Sequence, residues 1–147
     1  MNIFERIKKF DLPIGQYAVF GSALLDVWGI RHAADLDIIA TSELFNELRY
    51  NPLRNGGWKE IQAHGFTILA KDDANITTTQ QKATDRNYCP DRVQLIRNAV
   101  FIREIPFVRI EEVIACKKAY NRPKDLADIA SIENYIKSHK KDLYKID

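Results

Sequence analysis

No stretch of this 147-residue chain approaches the ~20 consecutive apolar residues that a membrane-spanning helix needs. The opening residues MNIFERIKKF also lack the apolar centre of a secretory leader, so a cytoplasmic protein with no membrane partner is expected. Cysteine is nearly absent. Cys89 and Cys116 lie apart with no CxxC spacing, which leaves no disulfide framework to expect and predicts reduced thiols. His32, His64 and His139 have no ligand-like spacing and read as surface or turn residues. Charge of one sign is lacking too, and a net charge of +2 is too small to announce a polyanion partner. There is no internal repeat and no low-complexity linker. With 46% hydrophobic and 29% charged residues, 1–147 reads as a single soluble globular domain long enough to bury a core.

One stretch organises the rest: YAVFGSALLDVWGIRHAADLDIIA, from Tyr17 to Ala40. Tyr17 to Phe20 reads as a buried strand, Gly21 permits a tight turn close to a ligand, and Ser22 opens a helix. Free amides and the positive dipole end at such a helix start attract anions, so Gly21 and Ser22 form a candidate phosphate seat. Twelve residues then separate Ser22 from Asp35, room for a short helix and a return strand. Residues two apart on a strand share a face, so Asp35 and Asp37 point one way while Leu36 and Ile38 enter the core. Two such carboxylates repel unless a cation, a basic group or a proton lies between them. A hard divalent ion such as Mg2+, which takes oxygen ligands and keeps positions for substrate phosphates, is the expected guest.

GS, about a dozen residues, then DLD within apolar flanks resembles the signature of the nucleotidyltransferase superfamily, the polymerase-beta-like fold, particularly its small bacterial and archaeal members. The resemblance implies an α/β or α+β fold, a small mixed β-sheet flanked by helices with two C-terminal helices. It further implies transfer of a nucleoside monophosphate from an NTP such as ATP to an acceptor, releasing pyrophosphate. Asp35 and Asp37 would hold Mg2+ or Mn2+, the metal would bridge the triphosphate, and Gly21-Ser22 would cradle the terminal phosphates. Arg31 reads either as a phosphate contact or as the partner of an acid.

Along the chain, Ile3, Phe4, Ile7 and Phe10 lie at helical spacing within residues 2–10. Thr41-Ser42 offers an N-cap for a helix through Tyr50, with Leu44, Phe45 and Leu48 inward. Asn51-Pro52 and Asn55-Gly56-Gly57 are turn signals. Trp58 to Gln62 and Phe66 to Lys71 read as strands around His64-Gly65, with Asn75 to Thr79 a third. Residues 80–90 are polar, and Arg92 to Ala99 is a short helix. Val100 to Glu104 and Phe107 to Ile110 read as a hairpin or an extended connection around Pro106.

Glu111 to Tyr120 is expected to be helical, with Val113, Cys116 and Tyr120 on an apolar arc that also contains Lys117. A cationic head on that side needs an anionic partner or an escape to solvent. Asn121 closes this helix and Pro123 opens the next, to about Lys137, with Leu126, Ile129, Ile132 and Ile136 as its buried stripe and Asp125 on the same side. The segment IEEVIACKKAYNRPKDLADI is similar to a second superfamily pattern, a Lys in one helix followed by R-x-K-D-x-x-D, found in uncharacterised small members and the abortive-infection toxin branch. That resemblance implies Lys117 and Asp125 as active-site residues, with Lys117 also on the nucleotide; the other reading is a buried ion pair between them. Arg122, Lys124 and Asp128 read as solvated. Lys137, Lys140, Lys141 and Lys145 read as a solvated tail, or as phosphate contacts if the acceptor is RNA.

The resemblance spans 17–50 and 105–136, and the region between them does not match. Superfamily members carry a third carboxylate on a later strand beside the first two, and Asp72, Asp73 and Glu104 are the candidates for it. Three functions follow: an active nucleotidyltransferase, a nucleotide- or partner-binding module lacking the third acid, or an RNA-directed toxin held by an antitoxin-like protein.

Overall fold

Two alternating apolar faces on the central strands set the framework. The computed structural model describes residues 1–51, 53–63, 65–78, 88 and 90–146. The readings made for Pro52, His64, Thr79, residues 80–87 and Cys89 fall outside the described residues.

The chain opens with α1 (Ile3–Lys8), whose start is a capping box: Asn2 Oδ1 accepts from the Glu5 amide and the Glu5 carboxylate accepts from the Asn2 amide. β1 (Tyr17–Phe20) runs through Gly21 into the single turn of α2 (Ala23–Val27). β2 (Leu36–Ala40) leads into α3 (Ser42–Tyr50), whose N-terminus is capped by the Thr41 hydroxyl. β3 (Lys59–Ala63), β4 (Phe66–Lys71) and β5 (Ala74–Thr77) follow as an antiparallel meander. α4 (Arg92–Arg97), the hairpin β6 (Val100–Ile102) and β7 (Ile105–Phe107), α5 (Ile110–Tyr120) and α6 (Pro123–Ser138) complete the fold. No helix of the described residues is long and apolar enough to cross a membrane.

The strands make one seven-stranded mixed sheet in the order β3-β4-β5-β2-β1-β7-β6. β2 is parallel to β5 and β1 is parallel to β7, while the other neighbours are antiparallel. The α+β class, the mixed sheet flanked by helices and the two C-terminal helices are therefore as expected. Tyr17, Val19, Leu36, Ile38 and Ala40 point to one face, where α1, α2, α3 and α5 contribute Ile7, Leu24, Leu44 and Val113 to the larger core. Ala18, Phe20 and Ile39 point to the other and meet Leu95, Ile96, Val108 and Cys116 in a smaller one. Full burial of a side chain such as Ile38 or Phe107 stabilises by about 1.5–3 kcal/mol.

Two local expectations need correction. The β6–β7 turn falls at Arg103-Glu104, which both take positive φ (48° and 69°), so the second strand is Ile105–Phe107 rather than Phe107 to Ile110. A two-residue hairpin turn needs that backbone but usually advertises it with Asn or Gly. On α6, Leu126 is 53% exposed, and the inward face is Asp125, Asp128, Ile129 and Ile132.

One buried cation positions the strand that matters. Arg6 donates from Nη1 to the Ala33 carbonyl (2.9 Å), from Nη2 to the Ala34 carbonyl (3.0 Å) and from Nε to Asp73 Oδ2 (2.8 Å). The Asp73 carbonyl in turn accepts from the Leu36 amide at 2.9 Å. Asp26 holds the same loop from the other side, accepting from the Ala33 amide at 2.8 Å. The residues just before Asp35 are therefore pinned to α1, α2 and the start of β5.

Candidate functional site

Asp35 lies in the bend just before β2 and is exposed, whereas Asp37 lies within the strand and is half-buried. Leu36 and Ile38 are fully buried on the opposite face, as the period-2 pattern requires. Asp37 sits between Phe20 of β1 and Asn75 of β5 in the strand register. Loss of solvent raises its carboxyl, and the nearby Asp35 charge raises it further, to about 6; Lys117 and Lys124 act in the opposite sense. The Asp35 charge opposes ionisation of Asp37, so the two adjacent acids repel each other, an arrangement that a cation would relieve.

The turn after β1 closes against this pair. Gly21 has φ +75°, and a Cβ built there would stand 2.9 Å from Asp37 Oδ2. The absence of a side chain thus lets the turn approach the carboxylate, and with it any ligand held there. The expected helix start is weaker than the sequence suggested: α2 is five residues long, so its dipole is that of little more than one turn. Ser22 makes no capping hydrogen bond; its hydroxyl instead accepts from Arg31 Nη2 at 2.7 Å.

Arg31 connects this turn to the C-terminal helices. Its Nε and Nη2 donate to Asp128 Oδ1 (2.8 Å) and Oδ2 (2.7 Å), the bidentate geometry favoured by guanidinium and carboxylate. Lys117 Nζ donates to the same Oδ2 at 2.8 Å. Asp128 is therefore a hub for two cations, and Arg31, then Lys117, holds its carboxyl near 2 against the opposing effect of burial. The reading of Asp128 as solvated is overturned: it is 6% exposed. Lys117, at 8% exposure, has Asp128 as its near partner, with Asp125 Oδ1 at 4.0 Å.

Asp125 is bonded chiefly within its own helix start. Its Oδ2 accepts from Arg122 Nε (2.6 Å) and from the Arg122 amide (3.1 Å), and Oδ1 accepts from Nη2 (3.2 Å). Burial raises its carboxyl, but the Arg122 hydrogen bonds outweigh that and leave it below the usual carboxylate range. Arg122 is thus an ion-pair partner rather than a freely solvated cation.

Gly21 stands against Asp37, and the adjacent Ser22 begins a chain of contacts through Arg31, Asp128 and Lys117 to Asp125, while Asp35 and Lys117 act on Asp37 through their charge. None of the three third-acid candidates joins them as a ligand. Asp73 is held by Arg6, Asp72 is an exposed turn residue 3.2 Å from Lys9, and Glu104 is in the β6–β7 turn. The position registered beside Asp37 on β5 is Asn75, an amide. Among the described residues no group of three His, Cys, Asp or Glu side chains is arranged to hold a metal. Asp128 was legible only in part: on a helical wheel it borders the arc of Asp125, Ile129 and Ile132, and counting Leu126 in the buried stripe moved the centre of that arc away from it. Asn75 carried no signal, because an amide in a β-branched strand announces nothing. No protein-family model, curated protein or solved structure matches the chain.

Proposed function

We propose that the protein is a metal-dependent nucleotidyltransferase, moving a nucleoside monophosphate from an NTP to an unidentified acceptor. The observation that carries this is the Asp37 carboxylate, raised to about 6 by burial and by Asp35 and packed against the side-chain-free turn at Gly21. Strongly shifted carboxylates concentrate where charge is to be bound or moved. Two acidic oxygen donors and no nitrogen or sulfur suit Mg2+ or Mn2+, which bind through one or two carboxylates and the substrate phosphates. The bound ion would supply charge neutralisation and orientation at the triphosphate.

The remaining work falls to the chain's own groups. The Gly21 turn presents its backbone to the phosphates, and Arg31 fixes that turn by spanning Ser22 and Asp128. Arg31, Lys117 and Arg122 share the two carboxylates of Asp125 and Asp128, three cations against two acids, so the cluster keeps a net positive charge beside the site even though each cation is paired. That field favours an incoming triphosphate and a departing pyrophosphate. Lys117 therefore acts from a fixed, paired position.

A second reading, a nucleotide-binding module without transfer, is favoured by Asn75, which puts an amide beside Asp37 where a further acid would assist the acceptor. Labelled NTPs separate the two. Incubation with Mg2+ and total RNA or protein is expected to move an α-phosphate label, and not a γ-phosphate label, onto an acceptor. Binding of nucleotide with no α-label transfer to any acceptor would support the module.

A further inference from the structure

Three aromatic rings form a column near the end of α6, away from the carboxylates. The Trp28 and Tyr135 rings are 4.3 Å apart and inclined by 8°, and the Tyr135 and His139 rings are 4.0 Å apart and inclined by 12°. The inner end is fixed, because Trp28 is buried and its Nε1 donates to the Leu143 carbonyl at 2.9 Å. The outer end is fixed as well: His139 Nδ1 lies 2.9 Å from the Tyr135 carbonyl, which accepts from the Nδ1–H tautomer. His139 is exposed, and since Tyr135 covers one face of its ring, the other face is open to solvent.

The charge around this column differs from that of the rest of the chain. Residues 137–147 hold four lysines and two acids, Asp142 and Asp147, a net charge of +2. That equals the net charge of the whole chain, so the other 136 residues together are neutral. All four lysines are exposed, and Asp142 lies 3.9 Å from Lys145.

We propose that this column is a binding platform for single-stranded nucleic acid. An unpaired base stacks on the open face of His139, and the flanking phosphates are met by Lys137, Lys140 and Lys141. The chemistry selects this occupant. A rigid, preordered column ending in a flat ring recognises another flat ring, and the adjoining lysines require anions beside it. A duplex hides its base faces within its own stack, and an acidic protein surface would use the lysines while leaving the ring face idle. The column stands independently of the transfer reaction. It does lie within reach of it, since His139 follows Asp128 by eleven residues along α6, roughly 16 Å.

Fluorescence anisotropy with labelled single strands of about a dozen nucleotides, against a duplex of the same sequence, tests the proposal without reference to activity. Single strands are expected to bind more tightly than duplex, with affinity falling steeply between about 50 and 200 mM salt. His139→Ala is expected to weaken single-strand binding about tenfold, and His139→Phe to restore it, since stacking tolerates any aromatic face. Lys140→Gln with Lys141→Gln should reduce the salt slope by roughly 1 to 2. Thermal unfolding of each variant separates these effects from misfolding. Absence of single-strand binding at the lower salt would overturn the proposal. So would duplex binding of equal strength, or single-strand binding that His139→Ala leaves unchanged, either of which would reduce the patch to a general polyanion surface.

Discussion

Asp35→Asn combined with Asp37→Asn is expected to lower α-label transfer by roughly a thousandfold or more, while leaving the protein folded and more stable than the wild type at neutral pH. The two halves of this result share a cause. Asp37 has a folded-state value of about 6 against an ordinary 3.8, so its protonated form is the one the fold favours. The corresponding stability is fully present below about pH 4 and is lost as the pH rises through 6, which makes the charged carboxylate a cost at pH 7. The shift corresponds to about 1–3 kcal/mol. Removing the charge should therefore raise the urea midpoint at pH 7 and flatten the stability profile between pH 4 and 6. A variant that loses activity and stability together would indicate that Asp37 serves the fold rather than a ligand.

Asp128→Asn is expected to destabilise by about 3–5 kcal/mol, the largest loss of any single polar substitution in the site. An amide cannot balance Lys117, whose side chain is 9% exposed, or keep both bonds to Arg31. The sign here is opposite to that of Asp37. The Asp128 carboxyl is held near 2, below its ordinary value, so its contribution is present above about pH 4 and is lost as the pH falls through 2. The variant should lack that acid-side slope. Adding Lys117→Met to Asp128→Asn should recover part of the loss, because the unpaired buried cation is removed with its partner. Denaturant unfolding of the two singles and the double reads this directly, and a loss for Asp128→Asn below about 1 kcal/mol would contradict the buried-hub account.

Much of the fold was legible because its signals are local. The helix ends marked by Thr41, Asn121 and Pro123 and the strand Tyr17–Phe20 stand where the sequence puts them, set by cap chemistry and by a short apolar run buried on both faces. The second strand, by contrast, begins at Leu36 and leaves Asp35 in the bend before it. The β6–β7 turn was not legible, since Arg103 and Glu104 adopt left-handed backbone without the residues that normally announce it. Within the site, Asp37 and Gly21 were readable because strand alternation and a tight turn involve only near neighbours, while Asp35 falls one residue short of the strand expected to carry it. The partners of Lys117 and Arg31 were not, because Asp128 lies 11 and 97 positions away and which acid each cation meets is decided by how α5 and α6 pack. Arg6 is a sharper case. In sequence it is one charged residue of an amphipathic helix, yet it is buried and clamps the backbone ahead of Asp35. The ring column behaves likewise, because Trp28 and Tyr135 meet only once α6 folds back on α2.

The central claim is that Asp35, Asp37 and the Gly21 turn together hold a divalent ion and a triphosphate. Calorimetric titration of a non-hydrolysable NTP analogue, with and without Mg2+, tests it most directly. Mg2+ is expected to tighten nucleotide binding at least about tenfold, the analogue to tighten Mg2+ binding by the same factor, and both effects to vanish in the Asp35→Asn, Asp37→Asn protein. Nucleotide affinity indifferent to Mg2+, or coupling that survives loss of both carboxylates, would contradict the claim.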